Sequence, residues 1–128
     1  MYPEGDKGGN LYFIRNNNSK TQLHAFWDQG AGAFAGSSNE DRINEFTQTL
    51  MTIYPPSYFG AKLNDLDPTH WLQEGMQNAQ RFVYTTPEQQ TPSAEYIFMA
   101  QKIAGQEVAL AGYRLAALLN QLLVTPTR

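Results

Sequence analysis

The 128-residue chain has no cysteine, which removes disulfides, thiolate-ligated zinc and thiol nucleophiles and leaves the compartment open. Histidine is nearly as scarce. His24 and His70 are the only two, so any metal site must draw on imidazole and carboxylate, and one chain barely supplies a complete catalytic site. Cations are outnumbered, 9 Lys and Arg against 12 Asp and Glu, for a formal charge of −3. That balance denies the chain the basic surface that grips nucleic acid through phosphates alone, so nucleic-acid chemistry would need a local site. No apolar run approaches the roughly 20 residues that cross a bilayer, and the first twenty residues lack the apolar stretch of a signal peptide. A soluble protein without stable membrane association is expected.

What the chain does have is enough apolar mass for a core: 41% hydrophobic residues, with 7 Tyr, 7 Phe and 2 Trp. A chain of this length buries roughly two thirds of its unfolded surface, so residues 1–128 are read as a single domain with two different parts. Residues 1–36 hold a glycine-rich loop, then Leu11 to Arg15 as a strand ended by the turn-forming NNNSK, then a further strand or extended stretch. From Thr21, TQLHAFWDQGAGAFAG reads as one short helix holding Leu23, His24, Trp27 and Asp28, broken by Gly30, Gly32 and Gly36.

Residues 37–128 read as helices. Ser37 and Glu40 form a capping box, and Ile43, Phe46, Leu50 and Ile53 then keep helical spacing up to Pro55, predicting a helix over about 38–54. After a linker, SYFGAKLNDL, Asp67 as N-cap and Pro68 at the first helical position open a helix that ends near Tyr84. Thr91 or Ser93 caps the last and longest helix, whose stripe from Tyr96 through Leu110, Leu115 and Leu119 to Leu122 is read as core. Trp27 and Phe46 with Leu50 are also read as packing, and Arg114 as an ion-pair or cap partner.

Three segments could carry chemistry. His24 and Asp28 stand four apart, hence on one face of the short helix, where they can converge on a single ion, although spacing alone more often yields a surface hydrogen bond. Asp65, Asp67 and His70 could collect a cation, but Asp67 before Pro68 is explained as a helix start and His70 as a solvent or cap contact. In GDKGGN, Gly8 and Gly9 allow close approach to the backbone, and the Asn10 amide offers a donor and an acceptor to a base edge.

In order and spacing, GDKGGN, LHAFWD, VY before a proline-containing loop and AGYRLAALLN together resemble the C-terminal half of the S1/P1 nuclease family. The resemblance implies a mainly α fold shared with zinc-dependent phospholipase C, here a C-terminal fragment with a short β-hairpin or strand near its N-terminus. It implies hydrolysis of phosphodiester bonds in single-stranded DNA and RNA, and of 3′-nucleotides, at a cluster of three zinc ions. By that resemblance His24 and Asp28 ligate one zinc, and Gly8, Gly9 and Asn10 bind substrate beside the scissile phosphate. The family's N-terminal tryptophan and its HxxGDxHQPLH-type motif have no counterpart here. The isolated chain is therefore expected to need the missing N-terminal half as partner, to bind zinc weakly and to be inactive alone, within a secreted or periplasmic parent. A phospholipase C and a non-catalytic helical interaction module are the competing readings; the GGN segment argues against the first.

Overall fold

A computed structural model describes residues 4–36 and 39–124. The fold is mainly helical, with one two-stranded antiparallel sheet. The chain divides into two compact units, Met1–Gly36 with Gly75–Ala104, and Ser37–Glu74 with Gly105–Arg128. Among the described residues no helix is long and apolar enough to cross a membrane.

In the first unit, β1 (Phe13–Asn16) pairs with β2 (Ser19–Gln22) in the register Phe13 to Gln22 and Asn16 to Ser19. The connection is a two-residue turn in which Asn17 and Asn18 both take positive φ, 48° and 63°. Asparagine tolerates that region better than other side chains, and such a turn twists in the sense a hairpin needs. The strand expected over Leu11 to Arg15 thus starts two residues later and ends one residue later, and the asparagines form its turn. The Phe13 carbonyl accepts from Gln89 and the Gln90 carbonyl from Arg15, so the 85–93 loop closes the free edge of β1. Ile14 and Leu23, both fully buried, join Phe26, Ala31 and Ala100 in the core.

The short helix α1 (Leu23–Asp28) follows β2 directly, and its first amide donates to the Tyr12 carbonyl at 2.8 Å, which pins the helix to the hairpin. Leu23 and Phe26 take the buried face, leaving His24 and Asp28 outside.

The second unit contains α2 (Glu40–Ile53), capped by Asn39, whose Oδ1 accepts from the Arg42 amide at 2.9 Å. Ser37, the expected cap, lies outside the described residues. The segment expected to be a linker is helical: α3 (Pro56–Phe59) and a 3-10 turn, Gly60–Asn64. Pro56 at the first turn and the edge-to-face rings of Tyr54, Tyr58 and Phe59 hold it, contacts that helical periodicity does not register. Leu50, Tyr54 and Ala109 form the core of this unit, with Phe46, Phe59 and Tyr113 packed against it.

Helices α4 (Pro68–Arg81) and α5 (Ala94–Leu123) contribute to both units. Asp67 Oδ1 accepts from the Thr69 amide at 2.8 Å, and Ser93 Oγ from the Tyr96 amide at 3.1 Å, so both starts follow the expected caps. Helix α4 stops at Arg81 rather than near Tyr84 because Phe82 adopts φ −130° and the chain tightens into a 3-10 turn, Val83–Thr85. The stripe of α5 is core only in part. Ile103 and Leu110 are buried, whereas Leu115, Leu119 and Leu122 are exposed, Leu122 by 78%. Nothing among the described residues covers that end.

Candidate metal centre

The Gly8–Asn10 loop and α1 form one hydrogen-bonded assembly. The Gly9 carbonyl accepts from the backbone amides of Tyr12 and His24, each at 3.3 Å. One residue earlier, the Gly8 carbonyl lies 2.9 Å from His24 Nδ1. A carbonyl oxygen only accepts, so Nδ1 carries the proton and donates. That fixes the tautomer and leaves Nε2 as the ring's other face. Nε2 stands 3.3 Å from Asp28 Oδ2, with both side chains exposed, 47% and 68%.

An imidazole nitrogen and a carboxylate oxygen this close are placed to share a cation. Adjacent ligands of a tetrahedral zinc with bonds of about 2.0–2.1 Å stand about 3.3–3.4 Å apart, the separation seen here. The donor set, an imidazole nitrogen oriented by a carbonyl and a carboxylate oxygen, is one that zinc takes. It is also incomplete, because no group of three or more His, Asp or Glu gathers among the described residues.

Gly9 is buried beneath α1, Gly8 is exposed, and Asn10 is half-buried with its Nδ2 donating to the Lys7 carbonyl at 2.8 Å. The loop is held from its other side by Asp6, whose backbone carbonyl accepts from Leu11. A hydrogen bond from the Tyr84 hydroxyl holds the Asp6 carboxyl below the usual carboxylate range. Burial first, and this bond second, push Tyr84 up to about 12.

The DLDPTH segment makes a different arrangement. His70 Nδ1 lies 2.9 Å from Asp65 Oδ2, and Asp65 is held low chiefly by the Asp67 amide and further by His70. His70 Nδ1 thus hydrogen-bonds Asp65 across the start of α4. Arg114, only 5% exposed, donates through Nη1 to Glu74 at 2.8 Å and through Nε to the Lys62 carbonyl at 3.2 Å, as the ion-pair reading expects.

Trp27 is the residue whose surroundings the spacing understates. It packs on the first unit's core, and its Nε1 donates to the Tyr96 hydroxyl at 2.9 Å, which itself donates to the Val83 carbonyl at 2.6 Å. Trp27 also lines a cavity of about 530 Å³. Neither the Gly8 carbonyl behind His24 nor Tyr96 beside Trp27 has a local signal, being 16 and 69 residues away in the chain.

Among families of known proteins, the model described as S1/P1 Nuclease matches residues 2–124. The chain is similar to Endonuclease 3 of Arabidopsis thaliana, 27% identical over 128 residues that cover 92% of this chain and 44% of that protein. It therefore spans less than half the length of this curated relative.

Proposed function

Because the chain belongs to the S1/P1 nuclease family, we propose that it forms part of a zinc-dependent nuclease acting on phosphodiester bonds of single-stranded DNA and RNA and on 3′-nucleotides. The observation that carries this reading is the pair His24 Nε2 and Asp28 Oδ2, 3.3 Å apart and outward-facing, with Nδ1 engaged by Gly8. These two residues would hold one zinc. When bound, zinc supplies Lewis acidity toward phosphate oxygens and brings the acidity of water near neutral pH.

The chain's own residues have distinct tasks. Gly8 fixes the imidazole so that Nε2 alone is presented, and Asp28 supplies a compensating negative charge. Gly9 holds the first turn of α1 through the His24 amide. Asn10, tethered by Nδ2, presents its amide at the edge of the loop for a base, with Gly8 leaving the backbone open to it. The acidic overall charge suits a site in which metal rather than Lys and Arg holds the phosphate.

Two protein ligands fall short of the three plus water usual in catalytic zinc sites. The remaining donors are proposed to come from the rest of the protein or from another molecule. Purified chain with Zn²⁺ is expected to leave single-stranded DNA essentially uncut. Robust cleavage would overturn the two-ligand account. In a parent protein carrying this segment, His24→Ala is expected to abolish cleavage, and a higher rate on a phosphatidylcholine analogue than on single-stranded DNA would favour the phospholipase reading.

A further inference from the structure

The distal half of α5 has no part in the metal site, yet its apolar side chains stand in the open. Val108, Leu115, Leu119 and Leu122 are 45–78% exposed. With Gly112 they follow one another at spacings of four, three, four and three, the alternation by which one helix seats against another. From Val108 to Val124 the single charged side chain is Arg114, which is buried and paired with Glu74. The exposed face therefore offers no ion pair to a charged partner and no Lys or Arg to lipid headgroups.

The stripe is complementary to itself when two copies run antiparallel. Leu115 then meets Leu119 of the second copy and Gly112 meets its Leu122, each pair occurring twice by symmetry. A Cβ at Gly112 would meet nothing within 4 Å, so the space above it is open. Leu122, the most exposed of the four aliphatic residues, is long enough to fill it. At about 30 Å² per methylene-sized group, Val108, Leu115, Leu119, Leu122 and Leu123 together expose roughly 350–400 Å² of side chain per copy. Two copies bury about twice that, and Ala111, Gly112 and Ala116 bring the total near the ~1,000 Å² of the smaller specific interfaces.

We propose that this face is a homodimer interface, in which α5 of one chain packs antiparallel on α5 of a second copy. The inference goes beyond the nuclease reading and does not depend on it.

The test is sedimentation equilibrium of the purified chain over about 1–500 µM, the range in which an interface of this size associates. The mass is expected to rise to two chains and no further. Leu119→Lys places a charge in both central layers and should weaken the dimer about a hundredfold or more. Leu122→Lys serves if that variant fails to fold by circular dichroism. Asn120→Lys, the same charge on another face of α5, should change nothing. Gly112→Leu meets no clash at its Cβ within one chain but closes the gap, and should weaken the dimer about tenfold. General stickiness would instead grow with the added leucine. Because the chain has no Cys, a mixture of Gly112→Cys and Leu122→Cys chains should cross-link on oxidation faster than either alone. A chain that stays monomeric, a mass that climbs past two copies, tighter association in Gly112→Leu, or equal effects of Asn120→Lys and Leu119→Lys would overturn the interface. Cross-linking of the mixture no faster than of the separate chains would overturn its antiparallel register. In a longer parent protein, a monomer whose Leu119→Cys thiol is protected from alkylation would give the face to the rest of that chain and overturn the second copy.

Discussion

Replacing Gly9 with alanine should damage the metal centre from beneath, and Gly8→Ala measures how much of the effect belongs to backbone conformation alone. Gly9 has φ +87° and Gly8 φ +65°, both in the left-handed region. A side chain there costs about 1–2 kcal/mol, partly offset by about 0.4–1 kcal/mol from a stiffer unfolded chain. Gly8→Ala adds nothing further, since a Cβ there meets no atom within 4 Å; its net cost is about 1 kcal/mol. At Gly9 the Cβ would stand 3.1 Å from the His24 backbone nitrogen and 3.6 Å from His24 Cα, atoms that no rotamer change can move. The loop must shift, stretching two amide-to-carbonyl bonds already at 3.3 Å, each worth about 0.5–1.5 kcal/mol. Gly9→Ala should therefore cost about 2–3 kcal/mol. Urea unfolding at neutral pH reads the two costs, and a Zn²⁺ titration followed at the His24 ring reads the site. Gly9→Ala should lower both stability and zinc affinity, whereas Gly8→Ala should lower stability modestly and spare zinc. Equal destabilisation by the two variants, or unchanged zinc affinity in Gly9→Ala, would refute the reasoning.

Glu74 is held below its ordinary value first by the hydrogen bond from Arg114, against the opposing effect of burial. A carboxyl depressed in the folded state stabilises above its unfolded value, about 4.3, and loses that contribution as pH falls through the folded value. Glu74→Gln should thus cost about 1–3 kcal/mol at neutral pH, and the difference from wild type in urea unfolding should shrink in acid. Tyr96→Phe leaves the Trp27 indole N–H and the Val83 carbonyl without their partner. It should lower stability by about 1–3 kcal/mol, read by thermal unfolding with the near-ultraviolet signal of Trp27 as a local probe.

The long helices were legible because their signals are local: Asp67 before Pro68, Ser93 three residues before the Tyr96 amide, and apolar spacing along α2 and α5. The hairpin was half legible, since the asparagine turn is a local signal whereas β2, SKTQ, has no apolar alternation to announce it. Helix α3 was missed because a four-residue helix draws its stability from the aromatic contacts of Tyr58 and Phe59 rather than from spacing. The distal leucines of α5 were misassigned to the core because periodicity reports an apolar face and is blind to whether anything covers it. At the site, four-residue spacing foretold that His24 and Asp28 would face one another. The Gly8 carbonyl that orients the imidazole was beyond reach, because only the fold brings the loop under α1. The cavity is assembled from three separate segments, and no one of them carries its pattern.

The most direct test of the metal centre is the ¹⁵N spectrum of the two histidine rings during a Zn²⁺ titration. His24 Nε2 should move on zinc binding while Nδ1 remains protonated against the Gly8 carbonyl, and Asp28→Asn should weaken the response. A titration in which His24 stays still, or in which zinc is taken up at His70 and Asp65 instead, would contradict the account.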